Sequence, residues 1–163
     1  MSYDVRKVAN AILDVADLRG FEITNMALNK LVYFAHAWSL AIHAEPLVES
    51  SFEAWQFGPV HPQIYRQFKV YEDQPIRGRA HRVDLETGNT VPVAYEMPDE
   101  DLNHITRIVD FYGTLSAGRL SAISHEQGAP WDQVWNAKGS RPGMTISDEA
   151  TETYYRSKLE RRS

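Results

Sequence analysis

The chain has 163 residues, of which 43% are hydrophobic and 24% charged, so it can bury a substantial core without covalent staples. It contains no cysteine, which excludes disulfides, thiolate metal sites and a cysteine nucleophile. A net charge of −5 argues against a broad nucleic-acid-binding face, while leaving room for a local basic patch.

Met1-Ser2-Tyr3-Asp4 lacks the basic-then-apolar layout of a signal peptide, and no apolar run approaches the ~20 residues of a membrane helix. A cytoplasmic location is therefore expected. Val5, Val8, Ala9, Ile12, Leu13 and Ala16 recur at helical spacing, with Asp4 placed to cap the first turn and Gly20 to end the helix. Thr24 or Asn25 caps a second helix running to about His43. Its apolar residues cover more than one stripe, which predicts a central helix buried on several sides. Phe52 to Phe57 reads as a short strand ended by Gly58-Pro59, and Pro62 suits the first position of a third helix behind His61. His81–Leu85, the turn Glu86-Thr87-Gly88-Asn89, and Val91–Tyr95 read as a β-hairpin, with Pro92 demoting its second arm to an edge.

Asp99 is expected to cap a fourth helix that Gly113 stops, and Ser116 a fifth carrying Leu120 and Ile123. Trp131 and Trp135, four apart, fall on one side of a further helical turn. Residues 138–145 read as a Gly/Pro loop, and Ser147 starts the last helix. The fold class is mainly α within α+β: a compact helical domain around a buried central helix, with a short strand and a small hairpin. Residues 1–163 read as a single domain.

Two segments carry a recognisable pattern. The first is Leu28-Asn29-Lys30-Leu31-Val32-Tyr33-Phe34-Ala35-His36-Ala37-Trp38, continuing through Glu45-Pro46-Leu47-Val48 to Phe52-Glu53-Ala54-Trp55-Gln56-Phe57-Gly58-Pro59-Val60-His61-Pro62 and Tyr65. The second is Leu120-Ser121-Ala122-Ile123-Ser124-His125-Glu126 followed by Pro130-Trp131, with Ser124 where Thr is more usual. Together they resemble the Panacea-domain, SocA-like antitoxin family. The family-motif residues are Lys30, Tyr33, Phe34, Glu53, Trp55, Gly58, Pro59, His61, His125 and Trp131. The resemblance implies a largely helical fold with a small β element and a partner toxin encoded next door. In some members it implies delivery of that toxin to a ClpXP-type protease. It implies no cofactor and no catalysis.

Read from the residues alone, most of the aromatics belong to a core. If Phe52 and Ala54 face inward, however, Trp55 and Phe57 are partly exposed and make a candidate partner surface. Arg77, Arg79 and Arg82, with His81 between them, form a basic cluster that can grip RNA, DNA or an acidic protein face, or simply be a solvated hairpin surface. Gly58-Pro59 is accounted for by turn geometry. His36 and His43 lie ~10.5 Å apart along one helix, too far to share an ion with ligands ~2.1 Å away, and there is no His-Glu-x-x-His. The contrasting class is a small hydrolase or nucleic-acid-processing enzyme. It requires His61, His125 and Glu53 to converge on a pocket. A DNA-binding autoregulator is the lesser alternative.

Overall fold

A computed structural model describes residues 2–139, 141 and 143–162. Helix α1 spans Val5–Arg19; the Asp4 carboxylate accepts from the Arg6 N–H, and Gly20 closes the helix at φ 74. Helix α2 spans Asn25–His43, and the Thr24 hydroxyl accepts from the Ala27 N–H. Most of α2 is buried, because α1, α4, α7 and the β2 region all pack on it. Its rings anchor the core: Phe34 stacks on Tyr112 at 4.3 Å, and Tyr33 meets Phe52 and Tyr155 edge-on.

The strand expected to end at Gly58 instead turns back on itself. Strand β1 is Phe52–Trp55, Gln56-Phe57 form the turn, and Gly58–Val60 return as antiparallel β2, with Ala54 opposite Pro59. Pro59 is tolerated because β2 lies at the edge of the sheet, whose order is β2-β1-β5. Strand β5, Met144–Ile146, pairs with β1 and begins inside the stretch expected to be loop, at its last two residues. Ser140 and Pro142 of that loop lie outside the described residues.

His61 caps α3 (Pro62–Phe68), which runs into a 3-10 turn at Lys69–Tyr71. The hairpin forms as β3, His81–Val83, and β4, Thr90–Pro92, shorter than the sequence implied. Helix α4 is Asp99–Tyr112; its cap position is Pro98 rather than Asp99, and Asp99, Glu100 and Asp101 place negative charge in the first turn where the helix dipole favours it. Helices α5 (Ala117–Ser124), α6 (Pro130–Trp135) and α7 (Asp148–Arg162) complete a mainly helical α+β fold. His36 ties three pieces of it together. Its Nδ1 accepts from the Leu47 and Val48 N–H groups, so Nε2–H donates to Asp148 Oδ1 at 2.8 Å and seats the start of α7 on α2. Among the described residues no helix is long and apolar enough to cross a membrane.

Candidate partner-binding site

The β1–β2 hairpin alternates as its sequence suggested: Phe52 and Ala54 are buried, whereas Glu53 and Trp55 are half-buried on the other face. Phe57 belongs to the turn rather than to that face, and is 61% exposed. A large ring held in water costs apolar hydration unless something covers it.

The turn beneath that ring is tied from behind. Ser121 Oγ of α5 donates to the Phe57 carbonyl at 2.8 Å, and Trp131 Nε1 of α6 donates to the Trp55 carbonyl at 2.6 Å. The His125 imidazole lies flat on Trp131, 3.7 Å between ring centroids, and Trp131 in turn stacks on Trp135. Trp55 itself donates its indole N–H to Glu53 Oε1 and meets Tyr65 edge-on at 4.9 Å. The second motif segment thus acts as a clamp on the first. The backbone that displays Trp55 and Phe57 is held from α5 and α6 by the Ser121 and Trp131 bonds.

Lys30 lies beneath the turn. It is 1% exposed, and its Nζ has no hydrogen-bond partner among the described residues. Burial pushes its pKa down to about 8. Gly58, at φ 123, passes directly over it: a Cβ there would stand 2.5 Å from Lys30 Cε and 2.8 Å from Ser124 Oγ. Glycine is therefore needed at position 58 twice over, for its backbone conformation and for the close approach. His125 is half-buried beside the same ammonium, and its buried Nε2 also lacks a partner among the described residues. Burial, reinforced by the Lys30 charge, lowers its pKa.

Two open clefts flank the turn. One, of about 460 Å³, lies between the turn and the α3/3-10 segment and is lined by Met26, Trp55, Phe57, Tyr65, Glu72 and Asp73 among others. The other, of about 380 Å³, is lined by Glu53, Trp55, Gln56, Trp135 and Gly143. The tip is thus an aromatic knob with a wettable recess on each side.

The enzyme alternative required Glu53, His61 and His125 to meet, and they do not. His61 is the cap of α3, bonded to Ser50 Oγ at 2.6 Å, with its pKa lowered to about 4 chiefly by burial. Its ring packs edge-on to Phe52, on the face of β1 opposite Glu53. Glu53 bonds Trp55, and His125 stacks on Trp131. Among the described residues no group of three or more His, Asp or Glu is placed to hold a metal.

The arginine cluster sits elsewhere and is divided. Arg79 donates to Asp14 Oδ1 at 2.7 Å and also pairs with Asp17, tying its segment to α1. Arg77 reaches Glu22 at 3.4 Å. Arg82 is exposed on β3. None of the three lines the clefts beside Trp55. Lys30, Tyr33 and Phe34 are buried supports, as are Gly58, Pro59 and Trp131. Sequence reasoning missed Ser121 as part of the clamp and Glu72 at the rim of the cleft, whereas Tyr65, which lines that cleft, was already part of the motif. For Lys30 a signal existed: it is the only Lys, Arg, Asp or Glu in a helix otherwise apolar on most sides.

A family model described as "Antitoxin SocA-like, Panacea domain" matches residues 28–132. Antitoxin SocA of Caulobacter vibrioides is 41% identical over 146 residues, covering 89% of this chain and 77% of that protein. No solved structure matches significantly.

Proposed function

Since the chain belongs to the SocA-like, Panacea-domain antitoxin family, we propose that it neutralises a toxin encoded beside it by direct binding, with the Trp55–Phe57 turn as the docking surface. One observation carries the choice of surface. Ser121, Trp131 and His125 are spent on holding a turn whose outermost residue, Phe57, has 61% of its surface in water. Exposed aromatics on a rigid backbone are the usual anchors of protein interfaces, because they bring large apolar area at low entropic cost. The reaction is one of association only: no bond is made or broken, and no cofactor takes part.

Arg77, Arg79 and Arg82 stand as a separate, secondary contact in this proposal. Arg79 already serves α1 and Arg77 pairs with Glu22 just beyond it, which leaves Arg82 freest to meet a partner carboxylate. Delivery of the bound toxin to a ClpXP-type protease is a further step that the same docking would allow, in a cytoplasmic setting.

Co-expression with the adjacent gene tests the reading. The wild type restores growth, whereas Trp55→Ala with Phe57→Ala does not, although its circular dichroism and melting temperature match the wild type within a few degrees. Full rescue by the folded double variant would reject this surface. Toxin half-life in the same cells separates masking, which leaves it unchanged, from delivery, which shortens it.

A further inference from the structure

The cleft of about 460 Å³ beside the turn joins two kinds of chemistry. Trp55, Phe57, Tyr65 and Met26 give it an apolar, aromatic wall, and Glu72 and Asp73 stand at its rim. The Glu72 carboxylate makes no hydrogen bond or ion pair among the described residues. Its backbone lies at φ 56, ψ −123, a conformation that residues other than glycine rarely hold. The fold thus keeps an acidic side chain where a glycine would sit more easily. Asp73 is likewise exposed and, among the described residues, accepts only from the neighbouring Gln74 side chain. Lys69 is the single opposing charge in the lining, so the carboxylates are in excess.

We propose that this cleft takes an arginine side chain presented by the toxin, its guanidinium against the Trp55 and Tyr65 rings and its N–H groups on Glu72 and Asp73. The inference rests on the reading that the turn is the docking surface, and adds the chemistry of what docks. A cation over an aromatic face is attracted by the ring quadrupole. Guanidinium suits the site better than ammonium: it is planar, stacks on rings, is weakly hydrated and bonds carboxylates two at a time. The net charge of −5 adds a long-range pull on a basic partner and hastens encounter.

The test needs no toxin. The full chain, labelled with ¹⁵N, is titrated with acetyl-Gly-Arg-Gly-amide while the indole N–H of Trp55 and the amides of Glu72 and Asp73 are followed. A saturable shift of these signals in the millimolar range is expected from one cation–aromatic contact plus one charge pair. Exchanging the arginine for citrulline, or making Glu72→Gln with Asp73→Asn, should weaken binding at least about tenfold. No saturable shift, or equal shifts with citrulline, would overturn the proposal. So would a lysine peptide binding as tightly, or concentration-dependent broadening of the same amides without peptide, which would make a second copy the occupant.

In co-expression, loss of rescue by both Trp55→Ala and the charge-reversing pair Glu72→Lys, Asp73→Lys supports the inference. Loss with Trp55→Ala but rescue with the charge-reversed pair leaves the docking surface standing and removes the arginine. Rescue by Trp55→Ala with Phe57→Ala removes the docking surface itself, whatever the peptide shows.

Discussion

Replacing Lys30 by Met should stabilise the protein, and by an amount that depends on pH. Lys30 carries an ammonium 1% exposed and without a hydrogen-bond partner among the described residues. Its pKa falls from 10.5 to about 8 on folding, through desolvation. Between those values the unfolded chain binds more protons than the folded one, so stability rises with pH across that window and the penalty is complete below it. The 2.5 units between the two values correspond to about 3 kcal/mol lost near pH 7, shrinking to about 1.5 kcal/mol near pH 9.5. Met matches the length and flexibility of the lysine stem and fills the same space under Gly58. Urea unfolding followed by tryptophan fluorescence should therefore show Lys30→Met more stable by about 3 kcal/mol at pH 7, with about 2 kcal/mol of the gap closed by pH 9.5. Tyrosines that titrate at high pH are common to both proteins and cancel in the difference. Rescue of the toxin should persist, because the turn stays where it is. A variant less stable than wild type at both pH values, or a gap that ignores pH, would show that the ammonium is paired in the folded protein.

Gly58→Ala should cost about 2–4 kcal/mol, from a φ of 123 and from contacts under 3.0 Å with Lys30 and Ser124, read as a lowered urea midpoint. Trp131→Phe removes the N–H that holds the Trp55 carbonyl and should cost about 1–3 kcal/mol while loosening the turn, seen as faster hydrogen exchange at Gln56 and Phe57. His61 folds with a pKa of about 4 against 6.5, so stability should fall by about 2 kcal/mol between pH 7 and pH 5 as the unfolded chain takes up the proton first. His61→Asn, which keeps a capping side chain, should flatten that slope in the same denaturation series.

The helices were legible because their ends are written locally. Asp4, Thr24 and Ser116 accept from backbone N–H groups, Pro62 opens α3 and Gly20 closes α1, all within a few residues of the periodic pattern they bound. The exposure of Trp55 followed from the period-two alternation of Phe52–Trp55. The return strand Gly58–Val60 was hidden because Gly-Pro ordinarily ends a strand, and only the sheet order, with β2 at an edge, shows why Pro59 is permitted. Strand β5 is three residues long, too short to display a period, and depends on β1 for its hydrogen bonds. The clamp is tertiary throughout: Ser121 lies 64 positions from the carbonyl it holds and Trp131 lies 76 from its own. Spacing along the chain could not pair them. The same holds for Arg79, whose carboxylate partners on α1 make it a support where the sequence offered only a basic cluster.

Calorimetric titration of the purified protein with the product of the adjacent gene tests the central claim most directly. The expected result is a stoichiometric complex that Trp55→Ala with Phe57→Ala weakens by about 30-fold or more, equivalent to about 2 kcal/mol. A folded double variant that binds as tightly as the wild type would contradict it.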